Sequence, residues 1–133
     1  MFLIKPNLGE LAALTGKERL GTSEVENAAK QILNEKECEV IIVSFGEAGA
    51  ILISKNETIT IKAPQVERKS TVGAGDSMVA GIVYGLSKQW SIKEAARYGV
   101  ACGTAATMNA GTELCHKNDA DRLYKLIQDK TQD

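Results

Sequence analysis

Apolar positions along this chain switch between strand-like and helix-like spacing, and the switches predict its elements. Residues 2–4 form a short apolar run that reads as a buried strand ended by Pro6. Asn7 then supplies an N-cap, and Glu10, three positions on, completes a box-like pattern. Leu8, Leu11, Ala12 and Leu14 give that helix its apolar face, and Gly16 ends it. Ser23 with Glu26 repeats the pattern ahead of a second helix, whose Val25, Ala28, Ala29, Ile32 and Leu33 fall at helical spacing. Residues 39–44 are continuously apolar, as expected of a buried parallel strand. A turn over 45–49 leads to a strand over 50–54, and Lys55-Asn56 turns tightly into an alternating strand over 58–62. After a polar crossing at 64–69 the pattern is helical. It predicts helices over 74–87, from Ser91 (capped with Glu94) toward Asn109, and over 118–128 with Leu123, Leu126 and Ile127 inward. The order β-α-α-β-β-β-α-α-α indicates an α/β fold, a mixed sheet flanked by helices.

Composition narrows the classes. At 133 residues the chain is one ordinary domain with enough length to bury a core. Sixteen basic against seventeen acidic residues leave a net charge of -1, so neither nucleic acid nor a membrane surface is attracted in bulk. Aromatics at 5% are too few for a single-strand stacking platform. Cys38, Cys102 and Cys115 lack metal-ligand spacing and read as reduced thiols of a cytoplasmic protein. No apolar run reaches bilayer-spanning length. The apolar run at the start opens without a leading turn or cap, as a piece of a longer chain would.

The chemistry concentrates at Thr71-Val72-Gly73-Ala74-Gly75-Asp76-Ser77, where a glycine turn meets an apolar helix. Glycines let a ligand approach main-chain N–H groups, and a helix start aims those groups outward from a positive dipole end. A carboxylate there repels phosphate unless it accepts a proton, so Asp76 beside an amide nest suits phosphoryl transfer to a hydroxyl. An ordinary loop–helix junction is the plain alternative. Asn7 and Glu10, on the first turn after a strand, either hold a hydrated Mg2+ against nucleotide phosphates or simply cap the helix. Ser44, Gly46 and Gly49 leave the end of another strand, where the glycines admit a flat or phosphate-bearing ligand or just make a tight turn. Neither glycine turn carries the lysine of G-x-x-x-x-G-K-[ST], and no G-x-G-x-x-G opens a helix. Gly99, Ala101, Gly103, Ala105 and Ala106 permit close helix packing or a slot for a base. Carbonyls around Asn109-Ala110-Gly111-Thr112 coordinate a monovalent cation or mark a helix stop. Arg68 and Lys69 are solvated charge or phosphate contacts. His116 reads as a surface residue, and Trp90 and Tyr98 as packing residues.

Three elements in this order, Lys5-Pro6-Asn7-x-x-Glu10, Ser44-x-Gly46-x-x-Gly49 and the Thr71–Ser77 glycine–Asp signature, resemble the C-terminal half of the PfkB, or ribokinase-like, sugar kinases. The Ser70-Thr71-Val72 lead-in and the 99–109 helix are similar to the phosphofructokinase-like branch. The resemblance implies a three-layer ribokinase-like fold of which residues 1–133 supply the ATP-binding, catalytic-base portion. It implies an ATP- and Mg2+-dependent kinase acting on a ketohexose phosphate such as fructose 6-phosphate. A ribokinase- or nucleoside-kinase-like acceptor, or a nucleotide-binding fragment without catalysis, are the alternatives. By the same resemblance Asp76 is the base, and the amides of Gly73, Ala74 and Gly75 stabilise the transferring group. Asn7 and Glu10 organise Mg2+. Ser44, Gly46, Gly49, Arg68, Ser70, Thr71, Val100 and Thr104 border ATP. Carbonyls of Ser70, Val72, Ala106, Asn109 and Gly111 hold K+ in members that use it, and full-length members form homodimers. Many members carry Asp where Ser70 stands. The family's N-terminal half, with its glycine pair, sugar-binding residues and lid strands, has no counterpart here.

Overall fold

The computed structural model describes residues 3–36, 38–109 and 116–130. The chain folds as two compact units, Met1–Thr60 and Ile61–Asp133. Among the described residues no helix is long and apolar enough to cross a membrane.

The sheet has strands β1 (Leu3–Ile4), β2 (Val40–Ser44), β3 (Gly49–Ser54) and β4 (Thr58–Lys62), in that spatial order, the first three in the first unit and the unit boundary falling inside β4. β1 runs parallel to β2, with Leu3 opposite Val40 and Ile4 opposite Ile41. β2 runs antiparallel to β3, from Val40 opposite Ser54 to Ser44 opposite Ala50. The sheet is therefore mixed, as expected, although β2 has only one parallel neighbour. Its Val40, Ile41, Ile42 and Val43 are all buried, which is why its sequence shows no polar alternation.

Helices α1 (Leu8–Leu14) and α2 (Val25–Glu35) belong to the first unit. Leu11, Val25, Ala29, Ile32, Ile41 and Ile53 form the centre of its core. Burying each valine, leucine or isoleucine of this set stabilises by about 1.5–3 kcal/mol. The start of α2 differs from the Ser23/Glu26 capping expected. A short 3-10 turn, Thr22–Glu24, comes first, and Glu24 reaches back to accept the Gly21 N–H at 3.2 Å. Glu26 instead accepts from the Thr58 hydroxyl at 2.9 Å and pairs with Lys30. Two glutamates compete for one helix start.

The second unit contains helices α3 (Ala74–Ser87), α4 (Ile92–Thr107) and α5 (Lys117–Lys130). α3 and α4 approach through glycines: a methyl placed on Gly81 would lie 2.9 Å from the Gly99 Cα, and one on Gly85 2.8 Å from the Ala95 Cα. The turn between them closes with Trp90 N–H on the Gly85 carbonyl and Gln89 N–H on Leu86, a Schellman arrangement with Gln89 in the left-handed region. Small residues on α4 therefore serve packing: Ala101, Ala105 and Ala106 are buried. On α5, Leu123 and Ile127 point inward as expected, but Leu126 is 42% exposed. Only the stripe through Ala120, Leu123 and Ile127 is covered, and Leu126 falls off that line.

All three tyrosines and the lone tryptophan of the chain meet where these helices join. Trp90 stacks on Tyr124 with centroids 5.7 Å apart. Tyr124 donates to Glu94 at 2.8 Å, and Tyr98 donates to Asp121 at 3.0 Å. Burial pushes both phenols up, and the carboxylates they face add to it. Burial also raises Glu94, but hydrogen bonds from Tyr124, Arg97 and Gln128 outweigh it and hold that carboxyl below its usual range. Asp121 is likewise held low, chiefly by Lys117. A carboxyl with a depressed folded pKa contributes stability above its unfolded value and loses it as pH falls through the folded one. Trp90 fluorescence should therefore report loosening of α5 below about pH 4. Tyr124→Phe should weaken this acid sensitivity, and an unchanged acid midpoint in that variant contradicts the assignment.

Candidate active site

At the carboxyl ends of the parallel strands β1 and β2, four sequence-marked side chains come together. Ser44 N–H donates to the Pro6 carbonyl at 3.0 Å, and Asn7 bridges Ser44 in parallel register. The Lys5 ammonium donates to the Ser44 hydroxyl at 3.3 Å. Asn7 caps α1: its side-chain oxygen accepts the Glu10 N–H at 2.8 Å, and Glu10 Oε1 accepts the Asn7 N–H at 2.9 Å. The capping reading is therefore realised. The second carboxylate oxygen of Glu10 and the amide nitrogen of Asn7 have no partner among the described residues, and both residues are exposed.

One carboxylate and one amide cannot enclose a divalent ion, and no cluster of three acidic, histidine or cysteine side chains occurs among the described residues. They fit Mg2+ held largely by water and substrate phosphates, the ion's usual habit. Asn7→Ala should cost about 1 kcal/mol of stability through loss of the cap, whereas Asn7→Asp should keep it. Urea denaturation checks this, and equal losses in the two variants would contradict the capping account. Beside Lys5 and Glu10, Ile4, Ala13, Leu14 and Ile32 line an open groove of about 660 Å3.

Between β2 and β3 the chain makes a short 3-10 turn, Gly46–Ala48. Gly46 has φ 62 and Gly49 φ 108, so the turn itself demands glycine at both positions. Gly46 is exposed and Gly49 buried. Lys5 had no expected role beyond its place in the Lys5-Pro6-Asn7 motif. Its one sequence signal is that place at a strand's carboxyl end, within reach of the end of the neighbouring strand.

In the second unit the glycine–Asp signature forms the turn into α3. Gly73 sits in the left-handed region at φ 83, just ahead of the helix. Ser77 N–H closes the first helical bond on the Gly73 carbonyl at 2.9 Å, and Ala74 N–H reaches Thr71 O at 3.4 Å. The N–H groups of Gly73, Gly75 and Asp76 have no partner among the described residues. Of the three amides expected to face a phosphoryl group, those of Gly73 and Gly75 are open, while Ala74 is weakly engaged. Asp76's own amide joins the open set. The Asp76 carboxylate is exposed on the first turn of α3 and makes no hydrogen bond or ion pair among the described residues. Val72 is 53% exposed, so the turn lies uncovered.

The loop before this turn is tied to α4. The Thr107 carbonyl accepts both Lys69 N–H, at 2.7 Å, and Ser70 N–H, at 3.2 Å. The Ser70 hydroxyl accepts Val72 N–H at 3.1 Å. Residues 69 and 70 thus meet the last turn of α4, close in sequence to Ala106 and Asn109. The Ala106 carbonyl already accepts Asn109 N–H at 3.3 Å. Gly111 lies outside the described residues. Arg68 and Ser70 are half-buried and Thr71 is exposed. Val100 and Thr104, expected beside a nucleotide, are 4% and 6% exposed, so neither side chain is presented to solvent.

The arrangement in this unit can accept a proton at Asp76 and offer several amides to an anion within one helical turn. Comparison with known proteins gives it a context. Residues 1–119 match the model of the pfkB family carbohydrate kinases. The chain is 41% identical over 125 residues to ATP-dependent 6-phosphofructokinase isozyme 2 of Escherichia coli strain K12, covering 94% of this chain and 40% of that protein. It is 35% identical over 132 residues to the protein of the same name from Mycobacterium tuberculosis, covering 99% of this chain and 39% of that one. A crystal structure of phosphofructokinase-2 from Escherichia coli in complex with potassium superposes with a TM-score of 0.90 at 39% identity, covering 96% of this chain and 41% of that chain. The chain thus spans about two fifths of the length of these relatives.

Proposed function

The chain belongs to the pfkB family of carbohydrate kinases, and from that premise we propose that it carries the nucleotide-binding and base-bearing part of an ATP-dependent sugar-phosphate kinase. The acceptor is a ketohexose phosphate such as fructose 6-phosphate. The observation that carries the reading is Asp76: an exposed carboxylate, unpaired among the described residues, one turn from open amides at the start of a 14-residue helix. Asp76 takes the proton of the acceptor hydroxyl as that oxygen attacks the γ-phosphorus in line. The new O–P bond forms as the bond to the bridging oxygen breaks, and ADP leaves. The N–H groups of Gly73, Gly75 and Asp76 stabilise the charge on the moving phosphoryl oxygens, where preorganised donors act most strongly.

In the first unit Glu10 and Asn7 would hold water around a nucleotide's Mg2+, which would supply charge neutralisation of phosphates. In the first unit Ser44, Gly46 and Gly49 are the candidates to border a nucleotide, and in the second Thr71 is, with Arg68 toward phosphates; Val100 and Thr104 are too buried to present their side chains. The carbonyls of Ser70, Val72, Ala106 and Asn109 would hold K+ if it binds. This is supported by the potassium named for the Escherichia coli structure and by the bonds from residues 69 and 70 to the last turn of α4. The working protein is cytoplasmic and self-associates as a dimer.

ADP release from MgATP, measured with fructose 6-phosphate and then with pentoses or nucleosides in its place, tests the reading. Dependence on the hexose phosphate supports it, and turnover on a pentose or nucleoside instead would overturn the acceptor assignment. A second reading, nucleotide binding without turnover, applies to these 133 residues taken alone, which span about two fifths of the matched kinases. Acceptor-dependent turnover by the 133 residues alone would exclude it.

A further inference from the structure

We infer that Gly103 and Thr107, one turn apart on α4, form a two-point seat that aims the glycine turn, with Gly103 acting as a positioning residue for the phosphate-facing amides. The inference rests on the nucleotide reading above. At one point the Thr107 carbonyl receives two consecutive N–H groups, from Lys69 and Ser70, at 2.7 and 3.2 Å. Thr107 is itself fixed: it is 5% exposed and its hydroxyl donates to the Thr104 carbonyl at 2.6 Å. At the other point α4 lies directly beneath Ala74. A methyl on Gly103 would stand 3.1 Å from the Ala74 carbonyl oxygen and 3.4 Å from Met78 Cβ.

Both contacts fall on the segment whose amides stay open, one just before Gly73 and one just after it. Residues 71–73 are thus strung between two anchors on a single rigid helix. The spacing to Ala74 matters because its neighbour there is backbone. A 3.1 Å approach forces a shift of a few tenths of an ångström, and a side-chain rotation cannot relieve it. That shift moves the first turn of α3, which carries the Gly75 and Asp76 amides, without opening the core. A methyl on Gly75 itself would meet nothing within 4 Å, so the seat, not crowding around the turn, sets its geometry.

The test is the affinity of the 133-residue chain for ADP and for adenosine, measured by calorimetry in parent, Gly103→Ala and Thr107→Val. Only ADP reports on the phosphate-facing amides. Gly103→Ala should weaken ADP about tenfold while adenosine stays within about twofold, the loss expected when charge-assisted hydrogen bonds are misaimed. Thr107→Val, which keeps the Ala74 contact and frees only the last turn of α4, should weaken ADP to a smaller degree in the same direction. Leu123→Ala is the control for a merely structural effect: it should lower the melting temperature yet leave the ADP-to-adenosine ratio unchanged. Amide NMR shifts of Gly75 and Asp76 in Gly103→Ala, which need no ligand, should move. If the parent prefers ADP but Gly103→Ala keeps the parental ratio and shifts, the seat is wrong and the nucleotide reading stands. If the parent shows no preference for ADP over adenosine, both fall.

Discussion

Asp76→Asn should lower phosphoryl transfer by about 10²–10⁴-fold, the usual contribution of a positioned general base. Nucleotide affinity should stay within about twofold. The amide is isosteric, so the turn and its open N–H groups remain, but asparagine cannot take the proton of the attacking hydroxyl. The carboxylate is exposed and unpaired among the described residues, so removing its charge breaks no native ion pair and should not destabilise the fold. This separates a catalytic role from a structural one. The assay belongs in a polypeptide that joins this chain to an acceptor-binding region, with ADP release as the readout. Near-parental turnover in Asp76→Asn would remove Asp76 as the base. Lost turnover together with lost ADP affinity would mark it as a binding residue.

The largest stability effect is expected at Gly99, where α3 and α4 cross. A methyl there would lie 2.6 Å from Ile82 Cγ1 and 2.9 Å from the Met78 carbonyl oxygen. Alanine's better helix propensity returns about 1 kcal/mol, but overpacking against backbone costs about 1–3 kcal/mol. Gly99→Ala should therefore be mildly destabilising, and Gly99→Val should lose about 3 kcal/mol because its branches enlarge the same clash. Gly75→Ala is the counterpart: a methyl there meets nothing within 4 Å, so stability should hold or rise while ADP binding falls. Urea denaturation of the three variants checks the set. A Gly99→Val chain as stable as its parent would show that the helices do not need this close approach.

The parts legible in the sequence were those fixed by local rules. The Asn7/Glu10 capping box and the Ser91 cap need only neighbours within one turn, and α3 begins at Ala74 because Gly73 supplies the left-handed residue before it. The buried run of β2 was legible for a similar reason. Failures arose where distant partners decide. Glu26 left its expected cap for Thr58, 32 positions away, and Leu126 turned outward because only one face of α5 is covered. The tie from Lys69 and Ser70 to Thr107 runs through a main-chain carbonyl, which no pattern of side chains encodes. Likewise, which first-turn amides stay open depends on the 3.4 Å reach from Ala74 to Thr71, a matter of loop shape. The place of Asp76 on the first turn of α3, just after the left-handed Gly73, was legible from the glycine turn alone.

The most direct measurement is titration of the 15N-labelled chain with MgADP, following the amide resonances of residues 70–78. Large, saturable shifts at Gly73, Gly75 and Asp76, with little change in the amides of α5, are what the proposed site predicts. Saturable binding that leaves those three amides unmoved would contradict it.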